Sequence, residues 1–262
     1  MDVMIVEMQE RVLENRTGVT RQKRSRGRSR KRGRNLPLPL LIALAAAVIL
    51  VVAGVLLLPA IRSRRHQSRL VSVISDYDSA TASLDQAVYD AHRDGAQVYN
   101  ALLKQNGYTG GVNEEMLSRY WNVLNIGKNG VMGYLEIPSI NLKLPIYHGT
   151  SEAALGEACG HAEWSSAPIG EEGSHCVLAG YRGVSGRKLF DDIDQVRVGD
   201  HFTIHVLDQE LLYKVEQIRA VRPEEGGDFS ISDGKDEVTI VVTSPKEKNA
   251  WKLLIKGRRI SK

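Results

Sequence analysis

The chain has 262 residues, 42% of them apolar and 25% charged, which suffices for one sizeable hydrophobic core and excludes collagen-like, disordered and disulfide-rich classes. Its two cysteines, Cys159 and Cys176, exclude a cysteine-built zinc site and a multi-bridge scaffold, leaving one bridge or two free thiols. The net charge of +4 averages two unlike parts. Residues 1–69 hold 15 Lys and Arg against 4 Asp and Glu, a net +11, while the rest hold 20 against 27, a net −7.

Residues 1–35 form a basic tail in which Arg21 to Arg34 (RQKRSRGRSRKRGR) carries nine Lys and Arg. Leu36 to Ile61 has no charged residue, and Leu40 to Leu58 is almost wholly apolar. Nineteen helical residues at ~1.5 Å each span roughly 28 Å, close to the ~30 Å hydrocarbon core of a bilayer. The stretch 36–61 therefore reads as a transmembrane helix. A buried core helix would keep a polar face, and a cleaved signal peptide would have a shorter apolar region followed by a small-x-small site. With four arginines in 62–69 against nine basic residues before the span, the positive-inside rule puts the N-terminus in the cytoplasm and 62–262 outside. Read alone, the basic run suits a nucleic-acid arm. Beside a membrane span, lipid headgroups and topology account for it, and no nucleic-acid partner is expected.

Beyond the membrane, Leu70, Val73, Ile74, Tyr77, Leu84, Ala87, Val88 and Ala91 recur near helical spacing, and no proline lies between Pro59 and Pro138. This predicts an amphipathic helix or helical pair over 68–104, inside a helical stalk or linker spanning 62–128. Asn106-Gly107 and Gly110-Gly111 break the pattern, and Asn113 before Glu114 and Glu115 marks a second helix start. From about 129 to 262 short β-branched and aromatic segments take over. Phe202, Ile204 and Val206 alternate with Thr203 and His205, Tyr213 and Val215 with Lys214 and Glu216, and Val238 to Val242 is a continuous apolar run suited to a central strand. Six to eight strands in such a length predict an all-β barrel or sandwich.

The stretch Gly133 to Glu152 (GYLEIPSINLKLPIYHGTSE) is followed by Gly160-His161, Gly180-Tyr181-Arg182-Gly183, Lys188-Leu189-Phe190 and Val198-Gly199-Asp200. This ordered series resembles the sortases, and among them the class C, pilin-polymerising group, over about 122–260. The resemblance implies an eight-stranded barrel on the outer surface of a Gram-positive cell. It implies cleavage of Leu-Pro-x-Thr-Gly-like sorting signals through a cysteine thioester, with transfer to an amine and with no metal or cofactor. A His, a Cys and an Arg carry that chemistry in the family.

All three matching positions differ here. The histidine position is Tyr181, the cysteine position is Thr243 in Val242-Thr243-Ser244-Pro245, and the arginine position is Lys252. A thiol with a reference pKa of about 8.5 supplies some thiolate unaided, whereas an aliphatic hydroxyl needs a base beside it. A phenol near 10 is a poor base where an imidazole near 6.5 serves, and Lys lacks the planar fork of Arg. Ser244, Arg182 and Trp251 are the candidate groove residues. Cys176 lies five positions before Tyr181, on the opposite face of a regular strand, and Cys159 sits in a loop-like stretch before Gly160-His161. A rewired Cys159–His175 pair, or Thr243 with Ser244 as a hydroxyl nucleophile, are the alternatives. The Asp-Pro-aromatic lid of class C members is missing, since 60–137 has no proline, and no second membrane helix is expected after Arg258-Arg259-Ile260-Ser261-Lys262. The expectation is a degenerate, membrane-anchored barrel that binds a sorting-signal peptide, a pilin subunit or an active sortase. The alternative is a cysteine-independent transpeptidase or hydrolase.

Overall fold

A computed structural model describes residues 37–106, 112–246 and 251–260. The basic tail 1–35, the turns at Gly107 and Gly110-Gly111, residues 247–250 and Ser261-Lys262 lie outside the described residues. The chain divides into two units, Met1–Ile49 and Leu50–Lys262.

Helix α1, Leu38–Ala82, is the one helix among the described residues long and apolar enough to cross a membrane, and its apolar run is unburied. It runs without a break past residue 61, where the sequence reading placed a change of element, so the helical segment expected over 68–104 is the end of α1 plus α2, Gln86–Asn106. Asp85 forces the separation: its carboxylate accepts the Val88 N–H at 2.9 Å, which caps α2 afresh. Helix α3, Glu114–Tyr120, starts where expected, with the Asn113 side chain accepting the Met116 N–H at 2.8 Å.

The strands are β1 (Val131–Ile137), β2 (Leu142–His148), β3 (Cys159–His161), β4 (Ser174–Tyr181), β5 (His201–Val206), β6 (Gln209–Val221), β7 (Asp236–Thr243) and β8 (Lys252–Arg259), with a short helix α4 (Glu152–Glu157) between β2 and β3. They close into a barrel in the order β1-β2-β3-β4-β7-β8-β6-β5. Only the β2/β3 and β4/β7 neighbours run parallel. Cys159 is therefore in a three-residue strand, not a loop; paired on both sides, even so short a segment is held extended. Alternation decides which side chains fill the barrel: Phe202, Ile204 and Val206 from β5, and Val238, Ile240 and Val242 from β7, are all buried.

The helices are fastened to the barrel by polar side chains as well as by packing. Leu70, Ile74 and Tyr77 of α1 are buried, and the Tyr77 hydroxyl donates to the Met132 carbonyl while accepting from the Leu207 N–H. Asn100 of α2 reads both backbone groups of Ala167. Tyr120, the last residue of α3, donates to the His161 carbonyl at 2.9 Å and accepts the Gly149 N–H at 2.7 Å. Glu157 at the end of α4 gathers Arg187 at 2.7 Å and His66 at 3.4 Å, tying α1 to the segment after β4.

Candidate active site

Strands β4 and β7 lie side by side in register from Ser174 opposite Asp236 to Tyr181 opposite Thr243. Alternation sends Cys176, Leu178 and Gly180 inward with Val238, Ile240 and Val242, so Val177, Ala179 and Tyr181 share the outer face with Thr239, Val241 and Thr243. β8 pairs antiparallel with β7 and sets Leu254 beside Val241. On this face lies a cavity of about 210 Å³. Its floor is Val177, Ala179, Val241 and Leu254, and its walls include Trp164 and Phe229, whose rings lie 5.2 Å apart. Thr150 and Lys252 also line it.

Of the sequence-derived candidates, Tyr181 and Thr243 are brought together as register partners, each two residues beyond a floor residue on the same face. Lys252 lines the cavity, and its ammonium donates to the Pro223 carbonyl at 3.1 Å, so the charge is tethered to the segment after β6. Ser244 is half-buried just beyond β7, its hydroxyl oxygen 3.9 Å from where a Cβ on Gly183 would lie. The Arg182 side chain turns away to Asp194, at 2.8 and 2.9 Å, although its backbone N–H donates to the Thr243 carbonyl. Trp251 is 52% exposed and outside the cavity, with the Arg222 guanidinium 5.8 Å from its ring.

The electrostatics leave the hydroxyl of Thr243 without an activating base among these residues. Burial, together with the nearby Glu152 carboxylate, raises the Tyr181 phenol above its usual value, so it is a neutral phenol at physiological pH. Both thiols lie inside the barrel, where burial pushes their pKa values up. His175 has both ring nitrogens engaged, near the Ser230 carbonyl and the Thr239 hydroxyl, on the opposite side of β4 from its neighbour Cys176. The structure therefore does not bring Cys159 and His175 together. Among the described residues no group of three or more His, Cys, Asp or Glu is placed to hold a metal ion.

Trp164, Phe229 and Thr150 were not legible as site residues. Each comes from a connecting segment, and only the aromatic within Gly226-Gly227-Asp228-Phe229, a turn-rich stretch, carried any signal.

A family model described as the sortase domain matches residues 135–260. Among curated proteins, sortase A of Bacillus anthracis is 26% identical over 133 residues, covering 51% of this chain and 61% of that protein. Sortase D of Bacillus subtilis is 28% identical over 113 residues, 43% of this chain and 54% of the relative. The matched part of the chain thus spans little more than half of those relatives. Among solved structures, sortase C1 from Streptococcus agalactiae superimposes with a TM-score of 0.68 at 39% identity, covering 73% of this chain and 99% of that one. Streptococcus pneumoniae sortase C gives a TM-score of 0.64 at 35% identity, covering 73% and 97%. Clostridium perfringens sortase C, solved with the C-terminal cell wall sorting motif, gives 0.63 at 39% identity, covering 73% and 100%.

Proposed function

This chain belongs to the sortase family, and from that membership we propose that it is a membrane-anchored, class C-type member that binds sorting-signal peptides or pilin subunits during surface-protein sorting or pilus assembly without performing the transpeptidation. The observation that carries the reading is the outer face of β4, β7 and β8. A largely apolar cavity lies there, with Lys252 in its lining and the register pair Tyr181 and Thr243 two residues beyond its floor, the three residues that the sequence resemblance aligns with the family's base, nucleophile and oriented donor.

Each replacement removes a distinct part of the chemistry. Attack on a peptide carbonyl by Thr243 needs a group to take the hydroxyl proton, and the phenol of Tyr181, raised by burial, is already protonated. A developing oxyanion needs donors aimed at it beforehand, and the Lys252 ammonium lacks the planar fork of Arg and has one of its donors on the Pro223 carbonyl. Loss of any one such group typically costs orders of magnitude in rate. The class of ligand is supported separately: sortase C from Clostridium perfringens was solved with the C-terminal cell wall sorting motif. The apolar run of α1, flanked by the basic stretch Arg21–Arg34, supports a single-pass anchor with the barrel outside the cell.

The test uses the full chain in detergent or nanodiscs with Leu-Pro-x-Thr-Gly-like peptides and hydroxylamine. Saturable binding without hydroxamate formation is the expected result. Turnover by the native chain that vanishes in Thr243→Ala would overturn it and establish a hydroxyl-based transpeptidase or hydrolase. Turnover gained by Tyr181→His/Thr243→Cys/Lys252→Arg would locate the missing chemistry at those three positions.

A further inference from the structure

His175 is 1% exposed, yet it stands on the outward face of β4 rather than among the core side chains. What buries it is the segment 222–235 between β6 and β7. The Ser230 carbonyl of that segment lies 2.9 Å from Nδ1, 55 residues along the chain, and Nε2 is 2.8 Å from Thr239 Oγ1 on β7. A carbonyl only accepts, so Nδ1 carries the proton and Nε2 accepts a hydrogen bond from the Thr239 hydroxyl. Adjacent Phe229 sets its ring 5.2 Å from Trp164 and 6.3 Å from the imidazole. A Cβ on Gly227 would lie 2.4 Å from the tip of the Phe229 ring, so a side chain there would require that ring to shift from its place against Trp164 and His175. One imidazole thus ties the segment that supplies a cavity wall to the strand that supplies its floor.

We infer that His175 is a latch: its neutral imidazole holds the 222–235 segment over the outer face of β4 and β7, and protonation releases that segment and opens the cavity wall. The inference deepens the peptide-binding reading and rests on it only for the consequence to ligand. The groups facing the imidazole are Asp228 on the segment itself and Glu237 on β7, which favour its proton, and Lys256 on β8, which opposes it. Lys256 Nζ lies 3.1 Å from Glu237 Oε2, so these two largely offset each other, and burial dominates, lowering His175 below its usual 6.5. The closed form therefore binds the proton more weakly than a free imidazole. Closure is complete above the usual histidine range and is lost progressively as pH falls below it.

Trp121→Phe and Trp251→Phe leave Trp164 as the single indole, next to Phe229. Emission of that full chain is followed from pH 8 to pH 4 without peptide, alongside far-UV circular dichroism, and peptide anisotropy is measured in parallel on the chain that keeps Trp121 and Trp251. The native groove is expected to show a reversible red shift below pH 6.5 with unchanged secondary structure. His175→Asn keeps a donor for the Ser230 carbonyl and does not titrate, so its emission should stay flat. Asp228→Asn, on an exposed residue, removes a charge that favours the proton only while the segment is closed, so the closed form binds the proton still more weakly and the transition should move to higher pH. Apparent peptide affinity should fall about tenfold per pH unit below the transition in the native groove and stay constant in His175→Asn. Flat Trp164 emission in the native groove, or a transition that persists in His175→Asn, overturns the latch. A His175-dependent transition with no peptide bound at any pH upholds the latch and overturns the peptide-binding reading instead.

Discussion

Gly180 precedes Tyr181 on β4 and faces the core, where the Phe190 ring rests directly on its backbone. A Cβ there would lie 2.0, 2.4 and 3.1 Å from three ring carbons of Phe190. Relief requires the ring or the strand to move, and both are restrained. Phe190 is fully buried beside Leu189 and Ile193, its N–H donates to the Tyr181 carbonyl at 3.3 Å, and its own carbonyl accepts from Ile193. Strand β4 is fixed on both sides by β3 and β7. Gly180→Ala should therefore cost near the upper end of the overpacking range, about 3 kcal/mol. In a folded body of this size that corresponds to roughly 6–12 °C in the unfolding midpoint. Phe190→Leu withdraws the offending ring edge, so Gly180→Ala/Phe190→Leu should lie well above the additive expectation, with a coupling of about 1–2 kcal/mol. Calorimetry on the full chain in detergent, with urea melts followed by tryptophan emission, measures all four corners of the cycle. A Gly180→Ala barrel within about 0.5 kcal/mol of native, or strict additivity in the double variant, would refute the claim that Phe190 dictates a glycine beside Tyr181.

Two further expectations follow from the buried groups. Cys159 and Cys176 are both inside the barrel with their thiols pushed up by burial, so the native chain should give no reaction with a thiol reagent until it is unfolded, whereas Thr243→Cys should add one thiol that reacts in the folded state. Burial pushes the Asp236 carboxyl up to about 6, against the opposing hydrogen bond from Tyr213. The folded state then holds this proton more tightly than the unfolded chain, so the associated stability is full below about pH 4 and is lost as pH rises to about 6, by at most about 3 kcal/mol. Asp236→Asn should remove that component, visible as a difference in the pH dependence of the unfolding midpoint between variant and native protein over pH 4–6; identical curves would contradict the assignment.

Much of this protein is written locally. The alternation of Phe202, Ile204 and Val206, the run Val238 to Val242, the cap at Asn113 and the apolar stretch from Leu40 to Leu58 each lie within a few residues, because strand, helix and membrane periodicities are short-range properties of the backbone. The ordered segments from Gly133 to Asp200 made the family legible, and the expectation that Tyr181, Thr243 and Lys252 replace its catalytic residues came from Gly180–Gly183 and from the later stretches Val238–Pro245 and Ala250–Leu254. Closure of the barrel decided the rest. It set Tyr181 beside Thr243 through a parallel register, turned Arg182 toward Asp194 and tethered Lys252 to Pro223. It also brought Trp164 against Phe229 and buried His175 under a segment far along the chain. No local pattern encodes such meetings, because they depend on which strands become neighbours when the sheet closes, and that is fixed only by the packing of the whole core.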